Sequence, residues 1–261
     1  MRGDFVDKSE KWDNAAVYFQ QVFAGGQNEY NKKLLMFLEE KNMLHPGDKV
    51  IDVGCGVGKY GQYFALRGCD VTLTDISAKM LGFAEKNMAR FDTPWRTIQC
   101  DFAEIDAEKL ADRGKYALAI STFCPAVCDT ATVRKFSEIT DGFCFVSRFC
   151  EWEQPERDAL FNAMGITPKS PHSDGNEDCE NIIRCVSEAG YAPQLEYVDY
   201  CWSDERTVDG MTAYICDRYY EPGELSEEFR LRLKAATEKL ADNGIFKDSV
   251  NTKVMWLYWK T

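Results

Sequence analysis

The sequence predicts a doubly wound α/β fold: a mostly parallel sheet with an antiparallel last strand and helices on both faces. Three observations carry that prediction. Short apolar runs alternate with helix-like stretches between residues 49 and 148, and such alternation means parallel strands joined by helical crossovers. The first run, Val50-Ile51-Asp52-Val53, leads directly into Gly54-Cys55-Gly56-Val57-Gly58. That is a strand, a tight turn and a helix start, because glycine is needed where φ is positive or where a ligand lies against main chain. The alternation stops near the end: residues 194–201 and 253–259 both read as strands. A helical insert lies between them, so the two strands are expected to pair antiparallel.

Taken in order, residues 8–43 are helical, with apolar positions Phe19, Val22, Leu34, Leu35 and Leu38, and Gly25-Gly26 breaks them in two. Residues 1–45 are expected to form an N-terminal helical lid. Residues 46–261 are expected to form the main domain, with a helical insert near 204–250 that is strongest over 225–241. His45-Pro46-Gly47-Asp48 is a turn. A buried strand over 49–53 leads to a helix over 59–66. A second strand, 70–74, ends in Asp75, and Ser77 caps the helix that runs to residue 89. Strands follow at 96–99, 116–121 and 143–148, with a helix over 130–139. Residues 165–178, rich in Pro, Ser, Asp and Gly, read as a loop.

Composition narrows the partners. The chain carries 43 acids against 31 bases, a net charge of −12. Such a surface repels polyanions, so nucleic acid is not expected as a partner. The densest basic stretch, residues 230–239, is interleaved with Glu and Ala and reads as a solvated helix face. No apolar run is long enough to span a membrane, and the first residues lack a signal-peptide apolar core. The expectation is a cytoplasmic protein without a membrane partner. Its 11 cysteines then read as reduced thiols, and with no tight C-x-x-C pair no metal is expected. The oligomeric state is not legible.

Residues Gly56-Val57-Gly58-Lys59-Tyr60-Gly61 match G-x-G-x-x-G, a nicotinamide or flavin pattern. In that pattern the first glycine stands at the strand end, and here Gly54 holds that place with Asp52 just before it. An acid there repels pyrophosphate and favours a cationic ligand. Asp52, the glycines of D-x-G-C-G-x-G, and Asp75 at the end of the second strand resemble the cofactor site of the class I S-adenosylmethionine-dependent methyltransferases. The likeness extends from Trp12-Asp13 to the last strand.

The resemblance implies S-adenosyl-L-methionine as cofactor and S-adenosyl-L-homocysteine as product. It implies that Asp52, Gly54, Cys55, Gly56 and Gly58 cradle the methionine tail and that Asp75 accepts the ribose hydroxyls. Asp101 and Phe102 would hold the adenine, with Ile76 or Met80 covering one face, and Ser121 and Thr122 would border the transferring methyl group. Plainer roles stand beside these: a helix cap for Asp75, a turn for Asp101, packing for Cys55, core for Met80. Trp12, Tyr18 and Phe19 either close a lid or pack the first helix.

The implied reaction is methyl transfer to a small molecule. No catalytic residue is required unless the acceptor must lose a proton, and His172, in the 165–178 loop, is the weak candidate for a base. His45 lies at the wrong edge of the sheet. Ser121-Thr122-Phe123-Cys124-Pro125-Ala126-Val127-Cys128 differs from the N-P-P-Y motif of nucleic-acid and amide methyltransferases. Cys124, Cys128 and Cys150 raise the alternative of metalloid or thiol methylation. Phe149, Trp152, Tyr200, Trp202 and Tyr214 are candidates for an aromatic acceptor pocket. The competing readings are a cofactor-binding protein without turnover and a nicotinamide oxidoreductase.

Overall fold

Seven strands make one sheet: β1 (Lys49–Val53), β2 (Asp70–Asp75), β3 (Trp95–Gln99), β4 (Tyr116–Thr122), β5 (Thr140–Glu153), β6 (Gln194–Thr207) and β7 (Ile245–Lys260). Their order is β3-β2-β1-β4-β5-β7-β6, parallel in the first five and antiparallel at the last strands. The molecule, a computed structural model, is described for residues 2–24, 29–167, 175–220 and 225–261, side chains of 2–7 and 23–24 excepted. The helices are α1 (Arg2–Ala24), α2 (Glu29–Glu40), α3 (Lys59–Leu66), α4 (Ala78–Met88), α5 (Ala107–Leu110), α6 (Thr130–Glu138), α7 (Pro155–Met164), α8 (Gly175–Glu188), α9 (Val208–Tyr219) and α10 (Glu227–Leu240).

β1 sits between β2 and β4, with Ile51 opposite Thr72 on one side and Ala119 on the other. The chain winds outward in both directions from this pair, so the carboxyl ends of β1 and β4 flank the switch point where ligands bind in open α/β sheets. Val50, Ile51, Val53, Val71, Leu73, Leu118 and Ile120 are fully buried, as expected of strands covered on both faces.

The chain divides into two compact units: residues 1–148, 177–197 and 255–261, and residues 149–176 and 198–254. Residues 1–45 belong to the first unit. The expected insert at 204–250 falls inside the second, which also takes 149–176. The first unit is closed by its last segment: Trp256 Nε1 donates to Tyr30 OH at 2.9 Å, and Trp259 Nε1 to Ser137 Oγ at 2.9 Å. The second unit packs Leu160, Phe161 and Met164 of α7 against Met211, Ile215, Leu233 and Phe246. Within it, Arg157 Nε donates to buried Asp248 at 3.1 Å and Arg206 Nη1 to the same carboxylate at 3.3 Å.

Several expected boundaries move. β5, β6 and β7 run well past 148, 201 and before 253. β6 is mostly exposed at the sheet edge, so its apolar signal fades although it pairs on one side. The loop expected over 165–178 gives way to α8 from Gly175, because Cys179, Ile182, Cys185 and Val186 repeat at helical spacing and are buried. The break at Gly25-Gly26 lies outside the described residues. Of the apolar positions that marked the helical stretch, Phe19 and Val22 are 40% and 57% exposed on α1, whereas Leu34, Leu35 and Leu38 of α2 are buried.

Candidate active site

The turn after β1 is bonded to β2 before any side chain is considered. The Gly54 and Cys55 amides both donate to Thr74 O at 2.9 Å. Gly54 has φ +73, and a Cβ there would lie 1.9 Å from Cys124 Sγ; no other residue fits. Gly56 has φ +54, yet an added Cβ would meet nothing closer than Met80 Sδ at 4.0 Å. Backbone conformation requires glycine at Gly56, and the space over it is open to a ligand.

Two buried carboxylates frame this turn. Asp52 is fully buried, and neither oxygen has a hydrogen-bond partner among the described residues. Burial first, then the neighbouring charge of Asp75, pushes it up to about 8. Asp75 accepts from Gly56 N at 2.9 Å and from Ser77 N at 2.9 Å. Burial raises it, and these amides oppose the rise. Among the described residues neither acid joins an ion pair. Lys59, which opens α3, is largely desolvated, and burial lowers its ammonium to about 8.

Helix α4 begins at Ser77, whose Oγ accepts from Met80 N at 3.0 Å and donates to Asp13 of α1. That bond holds Asp13 below the usual carboxylate range. Ala16 and Trp12 of α1 pack on Val57 and Met80. Met80 is therefore core beneath α1, not an exposed cover, while Ile76 stays half-buried. Of the three lid aromatics only Trp12 packs inward; Tyr18 and Phe19 are exposed.

After β3, Asp101 accepts from Ala103 N at 3.0 Å, the turn role, and from Lys8 Nζ at 3.2 Å. The Phe102 ring is buried edge-on against Phe136, centroids 6.0 Å apart, and its carbonyl accepts from Lys135 Nζ at 2.9 Å. Ser121 is also engaged: its Oγ donates to Val53 O at 3.0 Å and ties β4 to β1. Thr122 is buried at the end of β4.

Beyond β4, Phe123 is held at φ +51. A non-glycine residue in this region is uncommon and stores strain of about 1–3 kcal/mol. Its amide donates to Ser147 O at 3.1 Å, and its ring lies 5.5 Å from Tyr30. Arg148 at the end of the first unit donates from Nη1 to that same Ser147 carbonyl at 2.9 Å and from Nη2 to Val127 O at 2.8 Å. Asn181 Nδ2 donates to Cys128 O at 2.9 Å. Burial raises the Cys124 thiol to about 11 and lifts the Cys55 thiol well above its ordinary value, so both are protonated at neutral pH.

Among the described residues no three His, Cys, Asp or Glu side chains gather as a metal site. Cys124 and Cys128 belong to the first unit and Cys150 to the second. His172 lies outside the described residues. The aromatics Phe149, Trp152, Trp202 and Tyr200 form a chain of rings 4.7–5.3 Å apart in the second unit. Tyr214 is held elsewhere, with the Arg206 guanidinium 4.4 Å from its ring centre.

Residues 50–141 match the family model described as a methyltransferase domain. The matched span begins inside β1, ends at the start of β5 and contains the glycine turn, Asp75, Asp101 and Ser121. Residues 50–141 thus form a methyltransferase domain of the class I S-adenosylmethionine-dependent kind. The chain is 25% identical over 166 residues to the ubiquinone biosynthesis O-methyltransferase of Hahella chejuensis, covering 64% of this chain and 61% of that protein. It is 30% identical over 143 residues to a putative ribosomal RNA large subunit methyltransferase of Methanocaldococcus jannaschii, covering 49% of this chain and 36% of that one. It thus spans less than two thirds of the length of these curated relatives. In fold it is similar to magnesium protoporphyrin IX methyltransferase of Synechocystis PCC 6803, solved with S-adenosylhomocysteine, with a TM-score of 0.54 and 16% identity over 99% of this chain and 100% of that one. The family match sets aside the nicotinamide reading of Gly56 to Gly61.

Lys8, Tyr30 and Lys59 border the candidate cofactor site, and Arg148 lies under the turn after β4 away from it, all without a sequence signal. Lys8, Tyr30 and Arg148 arrive through long-range packing, while Lys59 stands beside the glycines but reads as an ordinary helix-start lysine. No helix among the described residues is long and apolar enough to cross a membrane.

Proposed function

We propose that this chain binds S-adenosyl-L-methionine at the carboxyl ends of β1 to β4 and transfers its methyl group to a small-molecule acceptor. The observation that carries the reading is Asp52, a fully buried carboxylate with no hydrogen-bond partner among the described residues, beside an open glycine turn. A buried charge needs a counter-charge, and the α-ammonium of the methionine tail supplies one without phosphate. The bound cofactor supplies an activated methyl group on a sulfonium.

The chain's residues then bind, orient and exclude water. Asp52 gives up its proton and meets the ammonium, directly or through the turn. Gly54, Cys55, Gly56 and Gly58 let the tail lie on main chain. Asp75 accepts the ribose hydroxyls with the lone pairs left over from Gly56 and Ser77. Asp101 and the Phe102 backbone hold the adenine edge, and Ile76 covers a face. Ser121 and Thr122 fix the strand end beside the methyl group, and Phe123 with Tyr30 walls it from water. Helices α1 and α2 serve as the lid, through the Lys8 to Asp101 and Asp13 to Ser77 bonds.

His45, the single histidine among the described residues, is exposed in the turn before β1, 3.4 Å from Asp48. Catalysis then rests on alignment, which is worth about 7–11 kcal/mol, with acceptors that need no strong base. The net charge of −12 favours a small acceptor over RNA, and eleven free cysteines suit a reducing, cytoplasmic setting. Calorimetry tests the cofactor: S-adenosylhomocysteine binds and NAD does not; the reverse overturns the reading. Release of S-adenosylhomocysteine on a panel of phenols, amines, thiols and carboxylates, with ribosomal RNA as a parallel arm, tests the acceptor. Turnover on RNA alone overturns the small-molecule assignment.

A further inference from the structure

Among the described residues Arg148 is the half-buried guanidinium that joins no ion pair. Arg67, Arg96, Arg157 and Arg206, also buried or half-buried, each sit against a carboxylate: Glu39, Asp112, Asp248, and Asp204 with Asp248. Arg148 has two carbonyl acceptors, Ser147 O and Val127 O. Of its five N–H groups, three have no acceptor among the described residues. Its titratable neighbours are the thiols of Cys124, Cys179 and Cys128 and the carboxylate of Asp178, and among the described residues no carboxylate lies within ion-pair distance. In a chain with 43 acids and 31 bases, a cation left without one is a specific arrangement.

Its place gives the arrangement meaning. The Ser147 carbonyl takes both the Arg148 guanidinium and the amide of the strained Phe123, and Val127 ends the same turn. The guanidinium is thereby oriented under the turn that follows β4, at the switch point of the sheet. A planar fork with N–H groups to spare, partly out of water, suits bidentate capture of an oxyanion. We infer that Arg148 binds a carboxylate or phosphate group carried by the methyl acceptor, so that this enzyme's substrates are anionic small molecules. The inference rests on the methyltransferase reading for the position of the acceptor. It is separable from that reading because the acids around Gly56, not Arg148, hold the cofactor.

The test uses the full chain loaded with S-adenosylhomocysteine, titrated by calorimetry or saturation-transfer NMR with benzoate, phenyl phosphate and benzamide. At least one of the two anions binds, at least tenfold more tightly than benzamide, and the stronger of the two names the group. Arg148→Met abolishes anion binding and Arg148→Lys weakens it several-fold, while S-adenosylhomocysteine affinity stays at the wild-type value in both. Equal binding of benzamide, or no binding of either anion to the loaded wild type, overturns the inference. So does anion binding that survives Arg148→Met, or a loss of S-adenosylhomocysteine affinity in Arg148→Lys that matches its loss of anion affinity. If Arg148→Met does not fold, the acid-against-amide comparison on the wild type and the Arg148→Lys variant decide. Failure of S-adenosylhomocysteine to bind the wild type is a different result, since it removes the cofactor reading first.

Discussion

The two edges of the candidate site are built on opposite principles. At the β1–β2 edge, acids and backbone amides converge: Asp75 takes the Gly56 and Ser77 amides, and Asp52 stays buried and unpaired beside them. At the β4–β5 edge there is a strained Phe123, protonated thiols and an arginine held by carbonyls. Among the described residues Asp52 and Asp75 join no ion pair at the first edge, and Arg148 joins none at the second. The proposed ligands differ accordingly, a cationic cofactor tail at one edge and an anionic acceptor at the other, and the edge assigned to the cofactor is the one written in a local motif.

The sharpest way to break the first edge is Gly54→Ala. The left-handed φ and the clash with Cys124 Sγ together cost about 2–5 kcal/mol, read by denaturant unfolding. The double variant with Cys124→Ala recovers the clash but not the φ cost. Equal stability of wild type and Gly54→Ala would mean that the turn is not rigid. Next comes Asp75→Ala, expected to lose about 1–3 kcal/mol of S-adenosylhomocysteine affinity while remaining folded. An unchanged titration curve would remove Asp75 from the ribose.

Asp52→Asn sharpens the electrostatic half of the comparison. The folded ligand-free protein keeps the Asp52 proton up to about pH 8, whereas the unfolded chain loses it near pH 4. Between those values the folded state holds more protons, so wild-type stability falls with rising pH by at most about 1.4 kcal/mol per unit. The asparagine variant lacks that slope, and the gap between them levels off above pH 8. Cofactor binding at pH 7 accordingly releases a proton, seen as a buffer-dependent calorimetric heat. Parallel stability profiles, or heats independent of buffer, would show Asp52 already ionised. The smallest effect is Lys8→Met. Its exposed ion pair with Asp101 is worth about 0.2–1 kcal/mol, so S-adenosylhomocysteine affinity shifts less than about fivefold. A larger loss would make α1 an essential wall of the site.

Much of the first edge was legible because its determinants are neighbours in sequence. Asp52 lies two residues from Gly54, and Asp75 ends the next strand, so strand periodicity and glycine spacing locate them. For Phe102 the pattern locates a strand end but not a rotamer, and Phe136, which captures its ring, lies 34 residues on. Arg148 and Tyr30 carried no signal. Their partners, Val127 and Trp256, come from other parts of the chain. The long tail of β6 was missed for a related reason: Ser203, Asp204, Glu205, Arg206 and Thr207 are all polar and mostly exposed at the sheet edge, so the segment resembles a polar loop.

β7 occupies an inner position of the sheet, between β5 and β6, and it is the last element of the chain. Residues 255–261 complete the first unit, with Trp256 on Tyr30 and Trp259 on Ser137. During translation this half therefore stays unfinished until residues 255–261 have emerged from the ribosome, and β5 waits with a free edge. Contacts of such sequence separation slow folding and expose pairing-competent strands meanwhile. Nascent chains stalled before residue 255 should lean on chaperones more heavily than chains stalled only after it has emerged.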